Sequence, residues 1–266
     1  MPIKKWKLLP YDSKASAGLA AQFCEELGIS PLCAQILIAR GVRTLQQAQD
    51  RLGLAPFKDP LLLPDMARAV QRIQSALDNG ERICIYGDYD CDGITSTTVL
   101  YNYLETVGAD VMFYIPDRHQ EGYGMNRAAV RAIAKQGVQL IITVDNGISA
   151  FEEVAYAGEL GMDVVVTDHH EPPEQLPDAA AVVDPHRKDC PAGFEMLAGV
   201  GVAFKLICAL EGDETGESML EQYGDLVCLG TVADVVPLVG ENRTIVSLGF
   251  AFWKIRTIPA FGRFWK

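Results

Sequence analysis

Three aspartates alternate along residues 87–93, whose sequence is GDYDCDG. Carboxylate oxygens are the ligands that hard cations such as Mg²⁺ and Mn²⁺ prefer, so Asp88, Asp90 and Asp92 could supply a metal site. An EF-hand loop is excluded, because its bidentate glutamate would fall at Val99. The alternative is that the aspartates cap a following helix, although a cap needs fewer than three carboxylates.

A second signal lies in TDHH, residues 167–170, where an apolar run ends in an aspartate followed by His169 and His170. Imidazole binds metal ions and exchanges protons near neutral pH. Adjacent side chains at a strand end are expected to point to opposite sides, so one histidine could bind a metal while the other faces a substrate phosphate. His119 and His186 are expected to be solvated or hydrogen-bonded locally.

Two further aspartates accompany apolar segments. Asp145 ends the run ITVD and begins an Asn-Gly turn, where a structural turn residue fits as well as a ligand. Asp234 lies inside LGTVADVVPL, where an unpaired carboxylate would cost several kcal/mol. Asp234 must therefore be paired, cap a helix or bind a metal, and the sequence leaves these options open.

The elements around these residues alternate between apolar runs of strand length and amphipathic stretches of helical length. Such an alternation predicts an α/β doubly wound domain with a mainly parallel five-stranded sheet and helices on both faces. Four of the runs end in acidic residues or histidines, and ligands bind at that edge of such a sheet. The predicted strands are residues 82–88, 110–116, 139–145, 163–168 and 180–184.

A helical lead-in is predicted before this domain, over residues 1–64, with the main domain over residues 65–266. Apolar spacing predicts helices at 15–27 and 31–39, and Thr44 is expected to cap a third helix that ends before Gly53.

The composition limits the class of protein. The 266 residues are 49% apolar with a net charge of −12, and the absence of a basic block argues against tight nucleic-acid binding by this chain alone. The seven cysteines are never spaced as CxxC, which argues against a zinc ribbon or a disulfide scaffold. Without an apolar run of about 20 residues, the chain is predicted to be cytoplasmic, with no membrane partner.

Taken in order, GDYDCDG, TVDNG, TDHH and GTVADVVPL resemble the four signature motifs of the DHH phosphoesterase family. PDRHQEGYGMN, DPHRKDCP and LAGVGVAFKL are similar to its branch of single-strand-specific exonucleases, and the resemblance runs from Leu27 to Leu248. It implies a DHH catalytic domain that hydrolyses phosphodiesters with two Mn²⁺ or Mg²⁺ ions and releases 5′-mononucleotides.

The resemblance also implies a set of metal ligands. Asp90 and Asp92 would each bind one ion, and Asp145 would bridge both ions as part of the catalytic centre. His169 and Asp234 would complete the coordination of the second ion.

His170 is implied to contact the scissile phosphate or to assist the leaving group. Many members of the family have a histidine four residues before the aspartate pair, where this chain has Tyr86. Asp88 is the candidate to replace that ligand. The resemblance implies substrate contacts from Arg118, Tyr123 and Asn126.

Members of the family normally carry a second substrate-binding domain, and the exonuclease branch adds an OB-fold. Because the chain ends at PAFGRFWK soon after the fourth motif, we expect a truncated form. The leading hypothesis is a 5′ to 3′ exonuclease acting on single-stranded DNA in repair and recombination, with replication or repair proteins as further partners. The alternatives are a small-nucleotide phosphatase or pyrophosphatase, and a catalytically impaired fragment that binds nucleic acid or a partner.

Overall fold

The computed structural model describes residues 13–119 and 121–253. Five strands in this part of the chain form one sheet in the order β2-β1-β3-β4-β5, and every neighbouring pair is parallel. The five predicted runs are confirmed as strands, each slightly shorter than predicted. They are β1 Ile83–Tyr86, β2 Val111–Tyr114, β3 Leu140–Val144, β4 Asp163–Thr167 and β5 Ala181–Val183.

The strand order reverses direction between β1 and β3, because β2 lies on one side of β1 and the three later strands lie on the other. The connections that leave β1 and β3 therefore diverge and open a crevice at the carboxyl edge of the sheet, where doubly wound folds bind ligands. Ile83 pairs with Leu140, and Leu140 pairs with Asp163. This register brings the carboxyl ends of β1, β3 and β4 close together.

Helices cover both faces of the sheet, as predicted. Apolar side chains of α4, α5, α8 and α9 form the larger core on one face, and those of α6 and α7 form the smaller core on the other. Alternate strand residues such as Ile85 and Tyr86 belong to different cores, as the pleat requires. The helices are α1 Ser13–Leu27, α2 Pro31–Ala39, α3 Leu45–Leu52, α4 Met66–Asp78, α5 Cys91–Thr106, α6 Arg127–Ala134, α7 Phe151–Glu159, α8 Gly199–Glu211, α9 Glu217–Ala233 and α10 Gly240–Trp253, with a 3₁₀ turn at Pro60–Leu62.

The ends of the lead-in helices follow their capping residues. The Thr44 hydroxyl accepts a hydrogen bond from the Gln47 N–H at 3.2 Å, and α3 ends at Gly53, whose φ is +75°. Both predicted limits of α3 are therefore confirmed, and α2 spans the predicted residues 31–39.

Helix α5 begins at Cys91, inside the aspartate-rich segment. The Asp90 carboxylate accepts a hydrogen bond from the Gly93 N–H at 2.9 Å and caps the helix. The aspartate-rich segment thus forms the first turn of α5, so Asp90 has the capping role that the sequence offered as an alternative to metal binding.

The lead-in contacts the main domain beside a buried ion pair, whose two residues both belong to the main domain. Lys205 Nζ lies 2.6 Å from Glu241 Oε2, and Glu241 Oε1 accepts a hydrogen bond from the Lys58 N–H at 2.9 Å. The Phe57 and Phe204 rings pack with centroids 5.6 Å apart. The lead-in also has a small core of its own, which contains Phe23, Ala34, Ile38, Val42 and Ala48. A domain boundary at residue 64 stays a prediction.

None of the helices in the described ranges is both long enough and apolar enough to cross a membrane. The seven cysteines are free thiols, as their spacing predicts.

Candidate metal centre

Carboxylates and imidazoles from four parts of the chain meet at the carboxyl edge of the sheet. They form three overlapping groups in which the ligand atoms all lie within 4.8 Å of one another. Every residue predicted to bind metal or to act in catalysis lies in at least one group. The groups are Asp88, Asp90 and Asp145; Asp92, His169 and Asp234; and Asp145, His169 and His170.

His169 is buried among three carboxylates. Its Nε2 atom lies 3.0 Å from Asp145 Oδ1 and 3.7 Å from Asp92 Oδ2, and its Nδ1 atom lies 3.8 Å from Asp234 Oδ2. Burial alone would lower the pKa of His169, but the hydrogen bond with Asp145 and the nearby charges raise it to about 9. Burial also raises the pKa of Asp145 and of Asp92. This concentration of buried carboxylates favours a bound cation.

Asp145 is fixed by a strained turn after β3. Its φ is +60°, in the left-handed region, and its carbonyl oxygen accepts a hydrogen bond from the Tyr123 hydroxyl at 3.1 Å. The next residue, Asn146, donates from Nδ2 to Val144 O at 2.9 Å. A Cβ atom added at Gly199 would lie 2.6 Å from Asp145 Cβ. The turn and the close approach of α8 together set the position of the Asp145 carboxylate.

Asp92 has a second role that the sequence did not predict. Its two carboxylate oxygens accept hydrogen bonds from the N–H groups of Gly199 and Val200 at 2.6 and 2.8 Å. These are the first residues of α8, whose preceding residue Ala198 provides no side-chain cap. The Asp92 carboxylate therefore caps a helix 107 positions away, a pairing that no local pattern encodes. Each oxygen keeps a lone pair for a metal ion.

Asp88 is fully buried, and neither carboxylate oxygen accepts a hydrogen bond of ordinary geometry. Burial raises the pKa of this carboxyl. Tyr86 cannot take the place of a ligand, because its ring lies in the smaller core and its hydroxyl donates to Gly124 O at 3.2 Å. Since an unpaired buried carboxylate is costly, the orphaned oxygens of Asp88 fit a cation held together with Asp90 and Asp145.

Asp168 orients His170, although sequence reasoning did not include it among the site residues. Its Oδ1 atom lies 2.7 Å from His170 Nδ1, and its Oδ2 atom accepts from the Ile148 N–H at 2.9 Å. Burial would raise the pKa of Asp168, but the hydrogen bond and charge of His170 hold it low. The same hydrogen bond raises the pKa of His170. The position of Asp168 directly before the histidine pair was the available signal.

The two histidines do not point to opposite sides, so that prediction was wrong. Their ring centroids lie 4.5 Å apart. Strand β4 ends at Thr167, and the Asp168 carboxylate accepts hydrogen bonds from the next two backbone N–H groups, which turns the chain out of the extended conformation. The side chains still differ in exposure, at 9% for His169 and 47% for His170.

The three predicted substrate contacts lie in different environments. Tyr123 reaches the centre, with its hydroxyl 3.2 Å from His170 Nε2. The Arg118 guanidinium lies 5.3 Å from the centre of the Tyr89 ring, and its charge acts on Asp88. Asn126 is engaged elsewhere, because it caps α6 and donates to Glu121.

A further buried carboxylate, Asp184, follows β5 and was not predicted. Burial raises the pKa of Asp184 to about 7, and its Oδ1 atom accepts from the His186 N–H at 2.7 Å. The His119 N–H likewise donates to Asp117. The predicted local hydrogen bonding of His119 and His186 is therefore confirmed for their backbone N–H groups.

Comparison with known proteins places these motifs in a family. The model of the DHH family, N-terminal domain, matches residues 82–231. The single-stranded-DNA-specific exonuclease RecJ of Bacillus subtilis is 49% identical over 227 residues, which are 85% of this chain and 28% of that protein. The chain therefore spans less than a third of that relative.

Solved structures agree with this match. RecJ of Thermus thermophilus in complex with Mn²⁺ has a TM-score of 0.68 and 32% identity, over 88% of this chain and 33% of that one. Its complex with Mg²⁺ has a TM-score of 0.56 and 30% identity, over 88% and 30%. The family model matches more than half of the sequence, and the match includes every converging aspartate and histidine except Asp234. The chain therefore belongs to the DHH family.

Proposed function

We propose that this chain hydrolyses phosphodiester bonds with two divalent cations, Mn²⁺ or Mg²⁺, and that its substrate is single-stranded DNA degraded from the 5′ end. The observation that carries the proposal is the pair of ligand groups at one sheet edge, joined by the 3.0 Å contact between Asp145 and His169. The RecJ relatives support the substrate and the metals, because they are named for single-stranded-DNA-specific exonuclease activity and two of their structures contain Mn²⁺ or Mg²⁺.

The two groups divide the ligands between the ions. Asp88, Asp90 and Asp145 would hold one ion, and Asp145 would bridge to the second. Two ions in such a centre polarise the phosphoryl oxygens and lower the pKa of an attacking water. An oxygen-rich ligand set with a single imidazole suits Mn²⁺ or Mg²⁺ better than metals that prefer thiolates. The second ion would take Asp92, His169 and Asp234.

The protein itself supplies a proton donor and substrate contacts. Asp168 holds His170 through Nδ1 and stabilises its protonated form, so Nε2 can give a proton to the oxygen that leaves phosphorus. Tyr123 lies within reach of that nitrogen. Arg118 is exposed near Asp88 and would contact a phosphate, whereas the contacts of Asn126 favour a role in holding the loop.

Repair and recombination of DNA in the cytoplasm, together with replication or repair proteins as partners, are further parts of the proposal. The RecJ relatives and the free thiols support them. A protein partner that supplies basic surface would offset the net charge of −12.

The test is the release of 5′-mononucleotides from 5′-labelled single-stranded DNA by the purified chain with Mn²⁺. We expect release that a chelator abolishes. Mn²⁺ binding without hydrolysis of any phosphodiester would contradict the proposal, and double-stranded DNA of the same sequence serves as the substrate control.

The acidity of the chain favours one other candidate, a phosphatase or pyrophosphatase for small nucleotides, which needs no basic groove. Parallel assays with a dinucleotide and with inorganic pyrophosphate separate the two functions. Turnover of pyrophosphate alone would establish the second candidate.

A further inference from the structure

A cavity of about 290 Å³ opens beside His170. It lies between the loop before α6, the turn after β3 and the first turn of α7. Lysine and arginine are absent from the described residues that line it. Its lining includes Tyr123, Met125, Ile148, Ser149, Glu153 and His170.

The lining selects an uncharged occupant. Met125 and Ile148 are buried and apolar, and Glu153 and Ser149 lie closer to solvent. The Glu153 and Asp168 carboxylates would repel a phosphate, which would go to the cations instead. An apolar wall with a few polar groups suits a flat, uncharged group that carries N–H donors, and a nucleobase has this chemistry.

His170 connects the cavity to the reaction, because it lines the cavity and also belongs to the group with Asp145 and His169. In release from a 5′ end, a water oxygen bonds to phosphorus, the bond from phosphorus to the 3′ oxygen of the terminal nucleoside breaks, and that oxygen takes a proton. A proton from His170 reaches the 3′ oxygen when the departing nucleoside lies against this side chain. The cavity provides space for that nucleoside beside His170.

We propose that the cavity binds the terminal nucleoside that departs, and that Glu153 and Ser149 recognise its base by accepting hydrogen bonds from base N–H groups. This proposal rests on the proposed phosphodiesterase function. It makes Glu153, which belongs to none of the candidate ligand groups, a specificity-determining residue.

Dinucleoside monophosphates test the proposal without requiring a long DNA groove. The probes differ only in the 5′ nucleoside, which carries adenine in one and no base in the other, followed in both by thymidine. Base stacking and contact contribute enough for us to expect kcat/KM with Mn²⁺ to be at least about fivefold higher for the adenine compound. Equal kcat/KM values for the two compounds would overturn the proposal.

A pair of variants in the first turn of α7 tests the role of Glu153. Glu153→Ala removes the carboxylate that lines the cavity, and Glu152→Ala removes an equal charge from an exposed neighbour that is absent from the lining. We expect the adenine preference to fall about twofold to fivefold in Glu153→Ala and to remain in Glu152→Ala.

An identical preference in both variants would overturn the role of Glu153. Failure of the wild-type chain to cleave the two compounds and single-stranded DNA would overturn the phosphodiesterase function as well. Cleavage that ignores the base would overturn the cavity proposal alone.

Discussion

Asp145 occupies a backbone conformation that most residues avoid, and its carboxylate lies in two of the three ligand groups. Asparagine tolerates φ values near +60° better than alanine does. Substitutions of Asp145 can therefore separate the effect of losing a metal ligand from the effect of destabilising the turn.

For Asp145→Asn we expect Mn²⁺ affinity and turnover to fall by more than about 100-fold, because a charged bridging oxygen is lost. The free energy of unfolding without metal should stay within about 1 kcal/mol of wild type. Asp145→Ala should lose the same activity and unfold more easily by a further 1 kcal/mol or so. Titration calorimetry and urea unfolding measure the affinity and the stability. Wild-type Mn²⁺ affinity and turnover in Asp145→Asn would contradict the role of a charged bridging carboxylate.

Gly199 is a second sensitive position, because an added Cβ would lie 2.8 Å from Asp145 Oδ1. We expect Gly199→Ala to displace the carboxylate, weaken Mn²⁺ binding at least about tenfold and destabilise the fold by about 1–3 kcal/mol. Gly158→Ala in α7 is the control, since nothing lies within 4 Å of its added Cβ. Equal Mn²⁺ affinity in the two variants would refute this account.

The sequence predicted the ligand set but not how the ligands are held. Asp88, His169 and Asp234 followed from residue type and motif order, and the structure brings them together. The capping of α8 by Asp92 and the contact of the Tyr123 hydroxyl with His170 join distant segments of the chain. Periodicity and spacing do not report such contacts. The buried Asp184 was missed for the same reason.

At the scale of elements, the end of α9 carries unusual strain. Val235 has a φ of +62° and is 84% exposed, directly after the candidate ligand Asp234. A β-branched residue is unfavourable in this conformation, where helices commonly place glycine. Packing does not compensate for the strain at such an exposed side chain.

We expect Val235→Gly to stabilise the chain by about 1 kcal/mol, because relief of the left-handed strain exceeds the entropic cost of glycine. Val232→Gly, inside the same helix, should destabilise it by about 1 kcal/mol. Urea midpoints at equal slope measure both changes. A destabilised Val235→Gly variant would show that the valine side chain makes stabilising contacts.

Element boundaries were predictable where a cap is local and unpredictable where it is not. Thr44 and Gly53 mark the ends of α3 within the sequence. The cap of α5 is also local, because Asp90 directly precedes the helix, whereas α8 begins at a glycine whose cap comes from the distant Asp92.

At the scale of the whole molecule, buried groups with raised pKa values couple stability to pH. The folded chain retains protons on Asp184 and His169 at pH values where the unfolded chain has released them. Their stabilisation is therefore present at low pH and lost as the pH rises through about 7 for Asp184 and about 9 for His169.

Without metal, we expect the free energy of unfolding to fall between pH 6 and pH 9, by about 1.4 kcal/mol per pH unit for each proton concerned. Saturating Mn²⁺ should offset the fall, because the ion binds the deprotonated ligands and adds about 2.7 kcal/mol at a hundredfold excess over Kd. Urea unfolding with chelator at several pH values measures the trend. A free energy of unfolding that rises with pH in this range would contradict the prediction. Asp184→Asn should remove the contribution of the Asp184 proton to the fall.

The global fold was the most predictable level, since the five apolar runs and their helical crossovers determine a parallel sheet with two covered faces. The way the lead-in docks was not predictable. Its attachment depends on the contacts of Lys58 and Phe57 with Glu241 and Phe204, and a buried ion pair leaves no periodic pattern.

The wide separation of the ligands along the chain has a consequence for synthesis on the ribosome. Asp88 is made early and Asp234 late, and the α8 N-terminus that Asp92 caps is made between them. A nascent chain therefore lacks a complete metal centre until the fourth motif, which contains Asp234, has left the exit tunnel. The hydrogen bond between Lys58 and Glu241 can form only later still. The proposed nuclease would remain inactive while the residues up to Asp234 are being translated, and its activity would begin only after the segment that carries Asp234 has folded against the sheet.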